Sequence, residues 1–396
     1  MLACSYGPDS LALFYLLTEN KIDFDVAYVN YHLPYTGDVE EEKLKKITEK
    51  YNKTLYLRDA HFEKGNEEGW ARDVRYNFFI EILKEHKEYD AVLVAHNLDD
   101  LIETYFLQLL RKGYFKYYGL EEVSYKHGIK IIRPLLKYRK KELENYLKSN
   151  GYDYFIDTSN LEPVFERNRI RLASVSKYND KECKKISKII KERNKSEQKR
   201  RKEIMEYVNQ DKTINLEEIR FMGFEEFVYL FYTYLDLFPF IKKISRKELE
   251  NIYDIIEQYK ERNYSFYLNN GYYIFIDYGY FKIDKIHEAN YSFLLDKNGN
   301  EYFHFKEGAN FNEIFSKYDK ILIHPVNKDE YYKYKDKKKK ISRMFIDMKL
   351  PISYRKIWPG VYNENGELLY VPRYKKRHKI EDSSFLIFDL NFLLTK

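Results

Sequence analysis

The feature that most constrains the fold is a short apolar segment at the start of the chain that turns directly into an amphipathic stretch. Residues 2–17 read LACSYGPDSLALFYLL. An apolar run ends at Cys4, a small polar turn covers Ser5 to Pro8, and apolar residues then recur at helical spacing. This order predicts a strand, a tight loop and a helix.

The same periodicity predicts the segments that follow. Strands are expected at residues 24–30, 54–57, 91–95 and 129–133, and helices at residues 37–51, 67–86, 99–110 and 140–150. Strands that alternate with helices predict an α/β fold with a doubly wound parallel sheet. Such sheets bind ligands at the carboxyl ends of their strands, where the polar clusters of this sequence fall.

The pattern of alternating strands and helices ends after residue 178. A chain of 396 residues is long enough to form more than one hydrophobic core. Residues 1–178 are expected to form the α/β domain. Residues 179–210 are highly charged and predict a linker helix. Residues 211–285 predict a small, mostly helical domain, with β-prone runs from Tyr264 onward. Residues 286–396, with short β-prone runs and Asn-Gly turns, predict a mixed α+β domain.

Composition excludes two classes of protein. Two cysteines, Cys4 and Cys183, with no CxxC pair, cannot build a disulfide framework. No long apolar run or signal peptide occurs, so we expect a soluble, cytoplasmic protein without a membrane partner. The net charge is +6, and cations cluster at residues 181–202 and 333–377. These clusters predict either a nucleic-acid contact or an ordinary solvated surface.

The turn after the first predicted strand suits a phosphate group. Backbone N–H groups and the positive end of the next helix can bind a phosphate or pyrophosphate there. Ser5 and Ser10 offer hydroxyls, and Gly7 permits close approach of the backbone. Asp9 lies where an N-cap or an Mg²⁺ ligand would lie. The same residue types are common in ordinary tight turns, so the stretch alone leaves both interpretations open.

A second polar cluster, HNLDDLIET at residues 96–104, follows the fourth predicted strand. On a helix, Asp100 would share one face with both His96 and Glu103. Converging carboxylates beside a phosphate loop suit an Mg²⁺–nucleotide complex or a cationic substrate. The alternative is an acidic helix start that complements the helix dipole. The absence of HExxH and of paired Cys or His argues against zinc.

Two groups of arginines are candidates for anion binding. Arg72 and Arg75 are three residues apart in GNEEGWARDVRYNFF and would project from one helical face toward phosphate oxygens. Arg167, Arg169 and Arg171 form a basic edge in the segment DTSNLEPVFERNRIR and are candidate tRNA contacts. Surface solvation is the alternative for both groups.

Taken in order, these motifs resemble a known family. SYGPDS resembles the SGGxDS pyrophosphate loop (PP-loop) of the N-type ATP pyrophosphatases. With VNYH, GNEEGWARDVRY, HNLDDLIET, RPLL, DTSN and RNRIR, it resembles the tRNA(Ile)-lysidine synthase family in order and spacing. The resemblance is continuous over residues 2–171 and returns at residues 340–374. It implies a Rossmann-like catalytic domain of the adenine nucleotide alpha hydrolase type.

The resemblance also implies a reaction. ATP, with Mg²⁺, would adenylate the C2 carbonyl oxygen of the wobble cytidine in a tRNA(Ile) with a CAU anticodon, releasing pyrophosphate. Free L-lysine would then attack C2 and displace AMP, leaving lysidine. Lysidine pairs with A instead of G, which changes the codon from AUG to AUA and the tRNA identity from Met to Ile. Whether the enzyme is a homodimer stays open.

The resemblance and the charge pattern assign roles to particular residues. The loop residues Ser5, Tyr6, Gly7, Pro8, Asp9 and Ser10 are expected to bind ATP. Asp9, Asp100, Glu103, Arg72 and Arg75 are expected to be catalytic, with Asp9 and Asp100 as metal ligands and Asp100 and Glu103 as lysine ligands. Arg167, Arg169, Arg171, Arg343, Arg355 and Arg373 are expected to bind tRNA.

Departures from the family pattern, of which Tyr6 is the main one, and two alternatives accompany this interpretation. Tyr6 stands where the family's loop has its first Gly, which adds bulk, restricts φ and predicts a reshaped loop. A PP-loop tRNA thiolase would need reactive cysteines, and neither Cys4 nor Cys183 lies in such a setting. A non-catalytic tRNA-binding paralogue would explain a decayed loop at Tyr6, but the retained acidic residues argue against it.

Overall fold

The structure is a computed structural model that describes residues 1–32, 37–62, 67–111, 113–155, 175–242, 244–259, 263–334, 337–374 and 385–388. The chain divides into two compact units, Met1–Arg200 and Arg201–Lys396. Each unit is described by itself.

The first unit alternates strands with helices, as the sequence predicts. Its strands are β1 (Leu2–Ala3), β2 (Val26–Asn30), β3 (Leu55–Asp59), β4 (Val92–Val94), β5 (Val123–Lys126) and β6 (Ile129–Ile132). Its helices are α1 (Pro8–Glu19), α2 (Gly37–Lys50), α3 (Glu67–Glu85), α4 (Leu98–Arg111) and α5 (Lys140–Ser149). The charged helix α6 (Asp180–Met205) begins in this unit and ends in the second.

The predicted doubly wound parallel sheet is confirmed. The strand order is β3-β2-β1-β4-β6-β5, and all neighbours are parallel except β5 and β6. The chain builds outward from β1 to β3 and then returns to place β4 on the other side of β1. In open α/β sheets, ligands bind in the crevice beside such a reversal of strand order. The carboxyl ends of β1 and β4 are therefore the expected location of the site.

Apolar side chains cover both faces of this sheet. Val26 and Tyr28 of β2 belong to a core cluster with apolar residues of α1, α2 and α5, including Phe14. Their neighbours Ala27 and Val29 belong to a second cluster, which includes apolar residues of α3. Successive residues of a strand face opposite sides of the sheet, so the two clusters lie on opposite faces.

One strand of this sheet was not predicted. β5 pairs antiparallel with β6 through a two-residue turn at His127 and Gly128, whose φ angles are +50° and +83°. Two successive positive φ angles are typical of the tight turns that close β-hairpins. β5 lies at the edge of the sheet and alternates exposed with half-buried residues, so it has no apolar run to mark it in the sequence.

Residues 211–285 of the second unit combine two helices with an antiparallel sheet, whereas the sequence predicts a mostly helical segment. The helices are α7 (Phe224–Leu235) and α8 (Arg246–Tyr259). The strands are β7 (Ile214–Asn215), β8 (Tyr264–Asn269), β9 (Tyr272–Asp277) and β10 (Tyr280–Lys285), in the order β7-β10-β9-β8. Tight turns at Gly271 and Gly279, both with φ near +80°, let these strands fold back on each other.

The rest of the second unit is mixed α+β around a core that contains the fully buried Trp358. Its helices are α9 (Ala309–Phe315) and α10 (Ile341–Asp347). Its strands are β11 (Phe293–Leu295), β12 (Phe303–Phe305), β13 (Ile321–Pro325), β14 (Tyr331–Tyr334), β15 (Lys337–Lys340), β16 (Pro359–Tyr362), β17 (Leu368–Tyr370) and β18 (Leu386–Phe388). Among the described residues, no helix has the length and apolarity needed to cross a bilayer.

Candidate active site at the carboxyl ends of β1 and β4

The loop after β1 is held in shape by its own hydrogen bonds. Gly7 is the N-cap of α1, and Pro8 occupies the first helical position, where its fixed φ suits a helix start. The Ser10 hydroxyl donates to the carbonyl oxygens of Ser5 at 2.5 Å and Gly7 at 3.1 Å. Ser10 is buried and Ser5 is exposed. Of the two hydroxyls expected to bind phosphate, Ser10 thus shapes the loop and Ser5 is open to solvent.

Tyr6 places its side chain in the core and only its backbone on the loop. The residue is 7% exposed and packs in the cluster formed with α1, α2 and α5. Its carbonyl oxygen accepts a hydrogen bond of 2.9 Å from the Phe155 N–H. It is not among the described residues with positive φ. The bulk that replaces glycine is therefore absorbed by the core, and Tyr6 can contribute to a phosphate site through its main chain alone.

Asp9 and Asp100 come together at the two strand ends, each in the first turn of a helix. Asp9 Oδ1 is buried and is the one buried side-chain N or O atom without a hydrogen-bond partner in the described part of the chain. Burial, followed by the Asp100 charge, raises the pKa of Asp9 to about 6, against the opposing effects of Lys140 and a hydrogen bond from Asn97. Burial and the neighbouring carboxylate thus both disfavour the ionised form of Asp9.

Asp100 also caps helix α4. Its Oδ2 atom accepts a hydrogen bond of 3.0 Å from the Asn97 N–H, and Asn97 Oδ1 accepts one of 3.1 Å from the Asp100 N–H. This reciprocal arrangement is a capping box. The expectation that His96 shares a helical face with Asp100 is wrong, because α4 begins at Leu98 and His96 precedes it.

The other predicted residues of the first unit lie on α3 and α4. Glu103 follows Asp100 by one helical turn and is fully buried. Arg72 and Arg75 are exposed on α3. Burial and then the charges of Arg72 and Arg75 lower the pKa of Lys126 on β5, which the sequence analysis did not single out. These three cations form a basic group on elements of the same domain.

A buried arginine lies beside His96, and the sequence identified it only as the first residue of the RPLL motif, without a role. Arg133, directly after β6, is 7% exposed. Its Nε–H donates to His96 Nδ1 at 3.1 Å, and its terminal nitrogen donates to the Glu121 carbonyl oxygen and to Ser124 Oγ, each at 2.8 Å. A charged residue directly after an apolar strand run was the signal that could have identified it.

The carboxylate pair fits a magnesium ion that arrives with a nucleotide. Among the described residues, no group of three His, Cys, Asp or Glu side chains could hold a metal. Mg²⁺ is usually bound by one or two carboxylates together with waters and substrate phosphates. Asp9, with its unpartnered oxygen, and Asp100 supply that number of carboxylates beside a loop suited to phosphate.

Three of the six residues expected to bind tRNA lie in the described part of the chain. Arg167, Arg169 and Arg171 lie outside the described residues. In the second unit, Arg343 on α10 pairs with Asp347 at 3.3 Å. The Arg355 guanidinium donates to the Leu350 carbonyl oxygen at 3.1 Å and to the Tyr278 hydroxyl at 3.4 Å. Arg373, beyond β17, is exposed.

Comparisons with known proteins show which family and relatives the chain resembles. Residues 1–177 match a family model described as a PP-loop domain. The chain is 32% identical over 374 residues to the tRNA(Ile)-lysidine synthase of Streptococcus mutans, covering 90% of this chain and 85% of that one. It is 28% identical over 388 residues to the same-named protein of Mycoplasma mycoides, covering 93% and 95% of the two chains.

A higher identity extends over a shorter segment. The chain is 40% identical over 172 residues to the tRNA(Ile)-lysidine synthase of Campylobacter jejuni. That match covers 43% of this chain and 53% of the relative, so the chain spans about half the length of the Campylobacter protein.

Proposed function

The chain belongs to the tRNA(Ile)-lysidine synthase family, and we propose that it joins L-lysine to C2 of the wobble cytidine in a tRNA(Ile) with a CAU anticodon, using ATP. The observation that carries the proposal is the pairing of Asp9 and Asp100 at the point where the strand order reverses. That position is the usual ligand site of such sheets. The match to Streptococcus mutans over 85% of its length supports the family's activity.

The first half-reaction would be adenylation. The cytidine O2 atom attacks the α-phosphorus of ATP, a P–O bond forms, and the bond to pyrophosphate breaks. The N-terminus of α1 and the backbone of the loop Ser5–Ser10 would bind the departing phosphates. Asp9 and Asp100 would hold Mg²⁺, which when bound neutralises charge on the phosphate oxygens. Arg72 and Arg75, with Lys126, would add positive charge on the same polyphosphate.

The second half-reaction would use the acidic residues of α4. An amine of lysine, having lost a proton, attacks C2 while the C–O bond to AMP breaks. Asp100 and Glu103 would attract the cationic lysine, since carboxylates stabilise ammonium groups in a partly desolvated site. Glu103 is fully buried whereas Asp100 is 9% exposed. We therefore propose that Asp100 makes the direct contact and that Glu103 acts mainly through its charge.

The tRNA would be bound by basic residues outside the site. Arg343 and Arg373 are exposed whereas Arg355 is half-buried, so Arg343 and Arg373 are the better candidates for phosphate contacts in the second unit. Arg167, Arg169 and Arg171 complete the proposed set. Contacts of this kind weaken as salt is raised, because counterions are released from the nucleic acid.

The cysteines oppose the thiolase alternative. Cys4 and Cys183 are both buried. Burial raises the pKa of Cys4 to about 12, so its reactive thiolate is scarce at neutral pH. Sulfur transfer by these two residues is therefore not favoured.

The test is a reaction with purified full-length protein, a tRNA(Ile) transcript with a CAU anticodon, Mg²⁺–ATP and labelled lysine. We expect lysidine by nucleoside mass spectrometry, one pyrophosphate per lysidine, and a loss of at least about 100-fold in Asp9→Asn. The matched control Asp23→Asn, at an exposed carboxylate paired with Lys53, should stay within about twofold. Tight tRNA binding without pyrophosphate release would favour the non-catalytic alternative, and a thiolated nucleoside would favour the thiolase.

A further inference from the structure

Tyr6 stands where the family's loop has a glycine, yet it is held by its side chain and by its backbone. The side chain is 7% exposed and packs in the core cluster formed with α1, α2 and α5. The Lys43 ammonium of α2 lies 5.2 Å from the centre of the Tyr6 ring. The Tyr6 carbonyl oxygen accepts a hydrogen bond of 2.9 Å from the Phe155 N–H. Contacts on both parts of one residue favour a single conformation of the loop that contains it.

The backbone at Tyr6 forms a tight turn. The Gly7 N–H donates to the Ser5 carbonyl oxygen, which places Tyr6 at the centre of a three-residue γ-turn. Tyr6 does not have a positive φ, so the turn is the common inverse form. A tyrosine is largely restricted to negative φ, whereas a glycine adopts positive and negative values about equally. A glycine at position 6 would therefore give the loop conformations that tyrosine excludes.

The segment that donates to the Tyr6 carbonyl is itself fixed. The Tyr152 ring stacks on Tyr15 of α1, with centroids 3.5 Å apart and an interplanar angle of 3°. Asp153 accepts a hydrogen bond of 2.7 Å from Lys43, whose ammonium also lies over the Tyr6 ring. Because Asp153 is exposed, this ion pair contributes less than burial of the aromatic ring. The Tyr6 side chain is therefore the main anchor of the loop.

We propose that Tyr6 is a positioning residue that preorganises the loop Ser5–Ser10 for the phosphates of ATP, so that the family's glycine at this position would weaken nucleotide binding. The inference rests on the proposed function, which places ATP phosphates at this loop. The affinity for a ligand falls in proportion to the fraction of the protein that has the binding conformation. Each loop conformation that glycine adds lowers this fraction.

The non-catalytic alternative predicts the opposite sign. If Tyr6 marks a decayed loop, then Tyr6→Gly restores the family's residue and should bind ATP more tightly. If Tyr6 anchors the loop, the same substitution should bind ATP more weakly. The direction of one change in affinity therefore separates the two interpretations.

Titration calorimetry of the full-length protein with Mg²⁺ and α,β-methylene-ATP measures this direction. We expect Tyr6→Phe to stay within about twofold of the wild-type Kd, because it keeps the ring and the restraint on φ. We expect Tyr6→Ala to raise Kd about threefold and Tyr6→Gly about tenfold. The difference between these last two variants isolates the restraint on φ, since neither fills the core.

The matched control is Phe24→Ala. Phe24 is a buried aromatic residue of the same core cluster, and the Lys53 ammonium lies 4.7 Å from its ring centre and pairs with Asp23. It precedes β2 and so lies at the opposite end of the parallel strands from the loop. Both alanine variants should unfold at a lower temperature, but Phe24→Ala should leave Kd within about twofold of wild type. Equal changes in Kd would assign the effect to stability alone and would overturn the inference.

Kinetics and hydrogen exchange supply further readouts. In Tyr6→Gly, KM for ATP should rise with Kd, while kcat at saturating ATP and KM for lysine should change less than about twofold. The Phe155 amide should be protected from exchange in the wild type and should exchange faster in Tyr6→Gly and Tyr6→Ala. If Tyr6→Gly does not fold, Tyr6→Ala and this amide still decide the question.

The inference and the proposed function fail in different ways. Unchanged or tighter binding of the analogue in Tyr6→Gly would overturn the inference even in an active enzyme. A wild-type protein that binds the analogue but forms no lysidine would refute the proposed function, and the order of the Kd values would still test the role of Tyr6. A wild-type protein that does not bind the analogue would overturn both.

Discussion

Asn97 and Asp100 each accept a hydrogen bond from the other's backbone N–H, at 3.1 Å and 3.0 Å, and so close the start of α4. The Asp100 charge also raises the pKa of Asp9. One side chain thus carries a structural and an electrostatic role. From the sequence these were alternative interpretations of the acidic start of α4, and the geometry is compatible with both.

The two roles of Asp100 can be separated by substitution. Asp100→Asn keeps an oxygen that can accept the Asn97 N–H, whereas Asp100→Ala removes the cap. We expect both variants to lose lysidine formation, because neither has the charge. We expect Asp100→Ala to be less stable than Asp100→Asn by about 1 kcal/mol in thermal unfolding. Wild-type activity in Asp100→Asn would show that the charge is not needed.

Asp9→Asn should stabilise the free protein while abolishing its activity. The pKa of Asp9 is raised from 3.8 to about 6, so its contribution to stability is greatest below pH 4 and is lost as the pH rises to about 6. At pH 7 the amide should therefore raise the free energy of unfolding by about 1–3 kcal/mol. Mg²⁺ with an ATP analogue should stabilise the wild type and not Asp9→Asn in thermal denaturation. A destabilised Asp9→Asn would contradict this account.

The sheet could be predicted from the sequence because its signals are local. Apolar periodicity and turn residues mark most of the strands and helices of the first unit. The order of the strands is set by contacts between distant segments. It is this order that brings the loop after β1 beside His96 to Asp100 after β4. The sequence therefore predicted Asp9 and Asp100 as joint metal ligands, and the strand order gives the physical reason that they adjoin.

Other features of the site depend on packing that no local pattern records. The direction of the Tyr6 side chain, into the core, follows from the space between α1, α2 and α5. The contact of Arg133 with His96 joins residues 37 positions apart. The helix start at Leu98 follows from the Asn97 cap, which the sequence analysis passed over in favour of the neighbouring acids.

Arg139 should be critical for the stability of the first unit. Its guanidinium lies 2.8 Å from Asp99 and 3.1 Å from Asp180, and so joins the starts of α4, α5 and α6. Arg139→Met leaves the mostly buried Asp99 unpaired, and we expect a loss of about 3 kcal/mol. Hydrogen exchange at the starts of these helices is the measurement.

The control for Arg139 is Lys141→Met. Lys141 also pairs with Asp180, at 2.6 Å, but its side chain is half exposed. Surface pairs contribute little, so this variant should change stability by less than about 0.5 kcal/mol. Equal losses of stability in Arg139→Met and Lys141→Met would contradict the claim that the buried Arg139 ion pair stabilises the first unit.

The second unit should be sensitive to acid through Asp284. Burial alone would raise the pKa of Asp284, but the hydrogen bond to His287 and the charge of Lys282 reverse this and lower it to about 2. The stabilisation that ionised Asp284 gives to the folded unit is therefore present above pH 4 and is lost as the pH falls toward 2. Asp284→Asn should destabilise the unit by about 2 kcal/mol at pH 7, and the difference from wild type should shrink below pH 4.

Tryptophan fluorescence can isolate this effect. The sequence has two tryptophans, Trp70 in the first unit and Trp358 in the second. In a Trp70→Phe background, urea unfolding followed by Trp358 emission reports the second unit alone. Asp319→Asn, at an exposed carboxylate, is the control. If the difference in unfolding free energy between Asp284→Asn and its parent does not vary with pH, the proposed dependence of stability on the ionisation of Asp284 is contradicted.

The central claim is that Asp9 and Asp100 hold the metal of a metal–nucleotide complex where β1 and β4 end. Titration with Mn²⁺ followed by electron paramagnetic resonance, in the presence of a non-hydrolysable ATP analogue, tests it most directly. We expect one bound Mn²⁺ in the wild type and an affinity at least about tenfold weaker, or 1.4 kcal/mol, in both Asp9→Asn and Asp100→Asn. Unchanged Mn²⁺ affinity in the two variants would contradict the claim.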